Sequence, residues 1–243
     1  MRLVGVGVGP GDPELVTVKA VRLMREAAAV CVPVTDGGEV GRAETVVRAH
    51  VDAALIRRLR FAIHDGDGGR SSGARASAWD RAGAEVAELL RSTGGPVAFA
   101  TIGDPNVYST FSYLAQTVLA LLPEVEVETV PGITAMQDLA ARSGTVLVEG
   151  TESLALLPFT AGEDALAAAL AAFDTVVCYK GGRRLDAVLD VVRAAGRIEG
   201  AVHGARLGLD GEVVEAAAGA RGPAHYLSTL LVPAARTGRG ARL

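Results

Sequence analysis

The chain has 243 residues, which is enough for one large domain or two smaller ones with sizeable cores. Apolar residues make up 49% and charged residues 21%, and the formal net charge of -4 gives no basic surface for nucleic acid, so no nucleic-acid partner is expected. No apolar run reaches the ~18 residues that cross a bilayer, and the first residues lack the apolar stretch of a signal peptide. We therefore expect a cytoplasmic protein that does not enter membranes.

Valine-rich apolar runs alternate along the chain with alanine- and leucine-rich helical patterns, which indicates an α/β fold. In the first half the predicted strands are LVGVGVG, AAVCVPV, IRRLRFAI, PVAFATIGDP and VEVETVPGI. The predicted helices are PELVTVKAVRLMREA, which Asp12 caps, then AETVVRAHVDA, WDRAGAEVAELLRS and VYSTFSYLAQTVLALL. Residues 64–78 lack periodicity and are predicted to form a surface loop, either a solvated insertion or a lid.

In the second half the predicted strands are TVLVEG, ALLPF, TVVCYKGG and HYLSTLLVPA, and the predicted helices are TAMQDLAARSG, AGEDALAAALAAF and DAVLDVVRAAG. The stretch AVHGARLGLDGEVVEA predicts a β-hairpin that turns at residues 209–212. The sequence thus predicts a parallel sheet in an N-terminal domain, residues 1–125, and a mixed sheet in a C-terminal domain, residues 126–243. Because parallel sheets bind ligands at the carboxyl ends of their strands, the turns that follow the strands are the candidate sites.

Cysteine and histidine are scarce. Cys31 and Cys178 lie in apolar strand-like runs, which is typical of buried thiols in a reducing compartment. The four histidines include none close to a cysteine at ligand spacing, so no metal site is expected.

The glycine-rich stretch GVGVGPGD follows the first predicted strand. A dinucleotide-binding fingerprint needs a third glycine where this chain has Pro10 or Asp12, and no Gly-Lys-Ser/Thr follows as in a P-loop. The carboxylate of Asp12 would also repel a phosphate at a helix N-terminus. The stretch therefore predicts a sharp, uncharged turn that another molecule can approach closely. A nicotinamide-dependent oxidoreductase stays an alternative, with Asp36 in the place of the ribose-binding acid.

Three further strand-end turns are TIGDPNVY at 101–108, VPGITA at 130–135 and CYKGG at 178–182. Together with VGVGPGDPELVTVKA, in this order and at these spacings, they resemble the tetrapyrrole (corrin/porphyrin) methyltransferases over nearly the whole chain. The resemblance implies a two-domain, class III S-adenosylmethionine-dependent methyltransferase fold with the active site in the cleft between the domains. Residues 1–125 would then form the tetrapyrrole side of the cleft, and residues 126–243 much of the cofactor site.

Within the family, TIGDPNVYSTFSYL, PGITAMQDLAARSGTVLVEG and HYLSTLLVPA are similar to the enzymes that methylate precorrin-2 at meso carbon 20, giving precorrin-3A in cobalamin biosynthesis. The enzymes that act on cobalt-factor II in the anaerobic route share most of these features, and another corrin position also stays open. A diphthine synthase is disfavoured, because that enzyme lacks stretches like YSTFSYL and YLSTLLV. A non-catalytic binding protein with this fold is also disfavoured, because the glycine-rich turn and the Gly103-Asp104 pair are both intact. The resemblance implies S-adenosylmethionine as methyl donor, S-adenosylhomocysteine as product, a small-molecule tetrapyrrole substrate, no metal, and a homodimer.

The resemblance also assigns residues. Those expected to bind the cofactor are Pro10, Gly103, Asp104, Val107, Thr134, Ala135, Tyr179, Lys180, His203, Gly204 and Ala205. Lys180 departs from the methionine that many relatives carry at this position. After methylation of the carbon a proton must leave, and Asp104 or Tyr108 is a candidate base; alternatively, Asp104 only orients its turn and the cofactor.

The substrate that the resemblance implies carries several carboxylates, so cationic side chains are expected around its site. The residues predicted to contact the substrate are Gly9, Arg42, Arg183 and Arg184. Four further arginines are cationic candidates, and they are Arg48, Arg57, Arg58 and Arg60. For Arg57, Arg58 and Arg60, a solvated strand edge is the favoured interpretation.

Overall fold

The computed structural model describes residues 1–34, 40–61, 72–236 and 238, and for residues 72–76 the backbone alone. The chain divides into two compact units, Met1–Thr134 and Ala135–Leu243, each built on a five-stranded sheet. The strand that follows residue 125 pairs with the first strand of the chain, so it is part of the first unit. Asp36 and residues 64–71 of the predicted loop lie outside the described residues.

The first unit holds an all-parallel sheet, as predicted. Its strands are β1 (Arg2–Gly7), β2 (Ala29–Val34), β3 (Ile56–Arg60), β4 (Val97–Thr101) and β5 (Glu126–Val130), in the order β3-β2-β4-β1-β5. Its helices are α1 (Val18–Glu26), α2 (Arg42–Arg48), α3 (Ser72–Thr93) and α4 (Phe111–Leu121). In the sheet all strands run the same way, so the turns after β1, β4 and β5 meet at one edge.

Helices cover both faces of this sheet, because its strands are apolar on both sides. Leu3 of β1 packs into the cluster under α3 and α4, whereas Val4 and Val6 pack into the cluster under α1 and α2. Successive side chains of a strand point to opposite faces, so a continuous apolar run predicts a sheet buried between two helical layers.

Two predicted features of the first unit are wrong. Asp12 does not cap a long helix: its carboxylate accepts a hydrogen bond from the Glu14 amide at 2.9 Å in a short 3-10 turn, and α1 begins after it, capped by Thr17. The chain is extended at Val16, which separates the two helical segments. Residues 72–78 belong to α3 rather than to a loop, because their alanines and arginine favour a helix more than their glycine and serines oppose it.

The second unit holds a mixed sheet, as predicted. Its strands are β6 (Leu154–Pro158), β7 (Thr175–Tyr179), β8 (Val202–Ala205), β9 (Val213–Ala216) and β10 (Ser228–Val232), in the order β6-β7-β10-β8-β9. Only β6 and β7 are parallel, and β8 and β9 form the predicted hairpin. The helices are α5 (Ala135–Ser143), α6 (Glu163–Ala172) and α7 (Leu185–Ala194).

The predicted strand TVLVEG, residues 145–150, is not a strand. Side chains rather than a neighbouring strand take up its carbonyl groups. The Val146 carbonyl accepts a hydrogen bond from Arg236 Nη1 at 3.1 Å, and the Leu147 carbonyl accepts one from Thr175 Oγ1 at 2.6 Å. In the described parts of both units, no helix is long and apolar enough to cross a membrane.

Candidate active site

The turns after β1, β4 and β5 touch one another through their backbones. The Gly103 amide donates a hydrogen bond to the Gly9 carbonyl at 2.7 Å. A Cβ on Gly7 would lie 2.6 Å from both Gly103 O and Gly132 N, and one on Gly132 would lie 2.1 Å from Gly103 O. No side chain fits at these two contacts, so glycine is required there.

The alternate glycines of GVGVG therefore have separate structural reasons. A Cβ on Gly5 would lie 2.5 Å from the ring of Phe111, so Gly5 makes room for the start of α4. Gly7 makes room for the two neighbouring turns, and Gly9 has a φ of 76°, which favours glycine. Pro10 follows as a buried residue.

Asp104 joins two of these turns. One carboxylate oxygen accepts a hydrogen bond from the Asn106 amide at 2.8 Å, and the other accepts one from the Gly132 amide at 3.0 Å. The half-buried carboxylate is thus held by two backbone donors, which is the arrangement of an orienting group. The Val107 amide donates to the Asp104 carbonyl at 3.2 Å, so the turn continues in a fixed shape.

The turn after β4 exposes the backbone at Gly103 and the side chain of Tyr108. A Cβ on Gly103 would meet no atom within 4 Å, so there is space beside this residue for a ligand to reach the backbone. Tyr108 has a φ of 50° and a side chain that is 46% exposed. Thr134, which ends the first unit, is buried.

In the second unit, Tyr179 connects the end of β7 to the start of α5. Its hydroxyl oxygen accepts a hydrogen bond from the Met136 amide at 2.9 Å, and both Tyr179 and Ala135 pack on the cluster around Leu139. An acceptor at this place satisfies one of the amides that a helix N-terminus leaves without an intrahelical partner. The structure thus brings two of the predicted cofactor residues, Ala135 and Tyr179, to the same end of α5.

The turn after β7 is close-packed and contains one unusual lysine. Lys180 is half-buried at a φ of 61°, and its burial lowers the pKa of its ammonium group. A Cβ on Gly182 would lie 2.0 Å from the His225 carbonyl, and one on Gly181 would lie 2.8 Å from Val188. The turn therefore depends on both glycines that follow Lys180.

The predicted segment His203–Ala205 is the buried strand β8. A Cβ on Gly204 would lie 2.6 Å from Leu139, so the glycine lets α5 lie close to the strand. The Nδ1 atom of His203 lies 3.0 Å from Glu215 Oε1, and its buried Nε2 has no hydrogen-bond partner among the described residues. Through Leu139, the strand and the start of α5 share one cluster.

The predicted substrate arginines lie in different surroundings. Arg42 is half-buried at the start of α2, and Arg183 is exposed. Arg184 contacts Glu163 at 2.5 Å and lies over the ring of Phe159, 5.2 Å from its centre. Its guanidinium is thus already engaged within the second unit.

Sequence reasoning missed Glu44, a buried carboxylate on α2. It accepts hydrogen bonds from Arg48 at 2.6 Å and from Arg58 at 2.8 Å, so two of the arginines weighed for substrate are paired with it. Burial raises the pKa of Glu44, but the hydrogen bonds from Arg58 and Arg48 outweigh that effect, and the pKa lies below its ordinary value. Glu44 and Arg48 lie four residues apart in a predicted helix, and this spacing is the sequence pattern that indicates an ion pair between them.

The described residues offer neither a metal site nor a cavity at these turns. No group of three histidine, cysteine or acidic side chains is placed to hold a metal ion in the described part of the chain. A shallow groove of about 480 Å³ lies between α5 and residues 144–148, and no residue predicted for cofactor or substrate lines it.

The strand-end turns, the fold and the sequence agree with one family of enzymes. Residues 2–220 match the family described as Tetrapyrrole (Corrin/Porphyrin) Methylases, and the chain belongs to it. It is 34% identical over 238 residues to a precorrin-2 C(20)-methyltransferase from Sinorhizobium sp, covering 96% of this chain and 95% of that protein. It is 36% identical over 194 residues to a probable cobalt-precorrin-2 C(20)-methyltransferase from Methanocaldococcus jannaschii, covering 79% of this chain and 77% of that protein.

Solved structures show the same fold. One is uroporphyrin-III C-methyl transferase from Thermus thermophilus complexed with S-adenyl homocysteine. The two chains are 22% identical, the TM-score is 0.62, and the match covers 95% of this chain and 97% of the other.

Proposed function

We propose that the chain methylates precorrin-2, or its cobalt complex, at meso carbon 20 in cobalamin biosynthesis. S-adenosylmethionine is the proposed methyl donor and S-adenosylhomocysteine the product. The observation that carries the proposal is the similarity to the Sinorhizobium precorrin-2 C(20)-methyltransferase, which extends over 96% of this chain. The similarity to the Methanocaldococcus enzyme supports the cobalt-bearing substrate as the alternative.

The residues present suit a sulfonium methyl donor. A Cβ on Gly103 would meet nothing within 4 Å, so a ligand can approach the backbone there. The same turn presents the half-buried carboxylate of Asp104, which complements the positive charge of a sulfonium. When bound, the donor supplies an electrophilic methyl carbon on a positively charged sulfur.

The chain's part in the reaction is alignment. A new bond joins the methyl carbon to the meso carbon while the sulfur–methyl bond breaks and its electron pair returns to sulfur, and a proton then leaves the methylated carbon. Correct placement of two reactants can supply about 7–11 kcal/mol of a barrier. We assign placement of the donor to the predicted cofactor residues, which are Pro10, Gly103, Asp104, Val107, Thr134, Ala135, Tyr179, Lys180, His203, Gly204 and Ala205.

We assign Asp104 an orienting role rather than that of the base. Its two oxygens accept backbone hydrogen bonds from Asn106 and Gly132, and these bonds hold two turns of the candidate site together. Tyr108 stays the other candidate for proton removal, since its side chain is exposed in the same turn. Gly9, Arg42, Arg183 and Arg184 stay the proposed substrate contacts, with Arg184 reaching substrate only by leaving Glu163.

We also propose that the protein works as a cytoplasmic homodimer. Support for the compartment comes from Cys31 and Cys178, two buried free thiols whose pKa burial raises to about 12. Support for a dimer comes from β9, an edge strand whose Val213 and Val214 are each 37% exposed. Exposed apolar strand edges favour pairing with another chain, and analytical ultracentrifugation tests the stoichiometry.

The deciding experiment is incubation with S-adenosylmethionine labelled with ¹³C in its methyl group. The protein is offered precorrin-2 and its cobalt complex in parallel, and NMR locates the new methyl group. We expect the label at carbon 20, and the ratio of kcat/KM for the two tetrapyrroles identifies the preferred substrate. A methyl group on another carbon, or no transfer to either compound, would contradict the proposal.

A further inference from the structure

Two aromatic side chains on neighbouring helices stack at the surface of the first unit. Trp79 of α3 and Tyr113 of α4 have ring centres 4.2 Å apart and planes within 6° of parallel. Trp79 packs against the hydrophobic cluster between the sheet and its two helices, whereas Tyr113 is 45% exposed. The indole stacks on one face of the tyrosine ring, and Tyr113 keeps a large part of its surface exposed. We name the pair the aromatic platform.

The platform lies at the same end of the sheet as the candidate active site. α4 directly follows the turn that contains Asp104 and Tyr108, and Tyr113 is in its first helical turn. A helix that follows a parallel strand begins at the carboxyl edge of the sheet, where ligands of such sheets bind. The platform and the turn after β4 therefore lie at the same, carboxyl end of the sheet.

The start of α4 is firmly held. The ring of Phe111 occupies the space over Gly5, where a Cβ would lie 2.5 Å from it. The Phe111 amide donates to Ser109 Oγ at 3.1 Å, and Ser109 Oγ in turn donates to Thr101 Oγ1 at 3.0 Å. The position of Tyr113 is thus fixed relative to β4 and to the turn after it.

The contact between α3 and α4 is equally close. A Cβ on Gly83 would lie 2.5 Å from Thr117 Cγ2, so the glycine sets a short distance between the helices. That distance brings the rings of Trp79 and Tyr113 into contact. Close packing of the two helices thus holds the platform in place, and a surface that is already ordered loses less entropy on binding.

We propose that the exposed ring of Tyr113 stacks on the ring of the tetrapyrrole substrate and that Trp79 is a positioning residue that holds the tyrosine ring in plane. The proposal rests on the proposed function. A tetrapyrrole has a broad, partly conjugated ring, and aromatic faces favour offset stacking on such rings. Stacking on a rigid support fixes the height and tilt of the ring, and therefore the approach of its meso carbon to the methyl donor.

The test compares Tyr113→Leu and Tyr113→Met with wild type under saturating S-adenosylmethionine. We expect both variants to raise KM for the tetrapyrrole about tenfold, because they lose the stacking term but keep an apolar side chain. KM for S-adenosylmethionine is expected not to change. Trp79→Leu is expected to raise the KM for the tetrapyrrole by a smaller factor. Tyr113→Phe and Trp79→Phe keep an aromatic ring, so their KM for the tetrapyrrole should stay close to that of wild type.

The matched control is Leu119→Ala, which changes an exposed apolar residue of the same helix, 38% exposed and outside the platform. Circular dichroism confirms that each variant is folded. An unchanged KM for the tetrapyrrole in folded Tyr113→Leu would overturn the platform while the proposed function stands. If the wild-type protein transfers no methyl group, the platform and the proposed function are both overturned. If the Tyr113 variants no longer form dimers, the platform is overturned in favour of an interface between two copies of the chain.

Discussion

The Asp104 carboxylate accepts the amide hydrogen of Gly132 across 3.0 Å and that of Asn106 across 2.8 Å, so one side chain connects the turns that follow β4 and β5. The turn after β1 joins them through the bond from the Gly103 amide to the Gly9 carbonyl, 2.7 Å long. Three segments that are far apart in the sequence thus form a single backbone-bonded unit. Its shape depends on one carboxylate and on glycines that no other residue can replace.

Replacing Asp104 by asparagine tests what the carboxylate does. Asparagine has one acceptor oxygen instead of two, so one backbone amide loses its partner, and we expect the free energy of unfolding to fall by about 1–3 kcal/mol. If Asp104 orients the turn, the maximal methylation rate at saturating substrates falls less than about tenfold, whereas loss of a general base costs about 10²–10⁴-fold. Single-turnover kinetics and urea unfolding measure the two quantities.

The matched control for this substitution is Asp52→Asn. Asp52 also accepts a backbone amide two residues ahead, that of Ala54 at 2.8 Å, but it is exposed and lies before β3. We expect it to cost no more than about 1 kcal/mol and to leave the methylation rate unchanged. A rate that falls a hundredfold in Asp104→Asn alone, with the fold intact, would identify Asp104 as the base.

Gly132→Ala should separate the turns. Its Cβ would lie 2.1 Å from Gly103 O, a backbone atom that cannot rotate away, so the turn after β5 must move. We expect a loss of stability of about 1–3 kcal/mol or more and weaker binding of S-adenosylhomocysteine. Thermal unfolding and calorimetric titration measure both, with Gly219→Ala as the control, because a Cβ there meets nothing nearer than 3.6 Å. Equal stability of the two variants would show that the turns are not close-packed.

The sequence allowed the sheets to be predicted but not all their connections. Continuous valine runs predicted the parallel sheet, and the alternation about residues 209–212 predicted the hairpin, because both patterns are local. TVLVEG has the same local pattern as a strand, yet Arg236 and Thr175 take its carbonyl bonds from far along the chain. A single sequence does not show such distant partners.

The same limit applies to the candidate site. The sequence singles out the turns around Gly103, Gly132 and Lys180, because their glycines and prolines are recognisable in order and spacing, and their role in binding stays a prediction. Glu44 was missed because its partner Arg58 lies on a different element, and the sequence gives no sign that the side chain is buried. The stack of Trp79 on Tyr113 was missed for the same reason, since it depends on the distance between two helices.

Glu44→Gln is expected to destabilise the protein in a pH-dependent way. The pKa of Glu44 is lowered in the folded protein, so its ionised form stabilises the fold above the usual value of 4.5, and this contribution is lost as the pH falls through the lower, folded pKa. At neutral pH we expect a loss of about 1–3 kcal/mol, since Arg48 and Arg58 keep partial contact with water. As the pH falls below 4.5 and through the folded pKa, the difference from wild type should shrink.

Urea unfolding as a function of pH measures this difference. Glu163→Gln is the control, because Glu163 pairs with Arg184 on the surface, where an ion pair contributes about 0–1 kcal/mol. A difference between wild type and Glu44→Gln that stays constant from neutral to acid pH would show that the charge of Glu44 does not stabilise the fold.

Lys180→Met tests whether the lysine lies beside the donor sulfur. Burial lowers the pKa of Lys180, so its positive charge is lost as the pH rises toward the usual lysine value of 10.5. A charged lysine repels a sulfonium, so the affinity of wild type for S-adenosylmethionine should increase with pH, while that of Lys180→Met should be higher at neutral pH and stay flat. The φ of 61° is equally unfavourable for both side chains, so backbone strain cancels in the comparison. S-adenosylhomocysteine, which has no sulfonium charge, is the internal control in the same titrations, and parallel pH profiles for the two ligands would place Lys180 away from the sulfur.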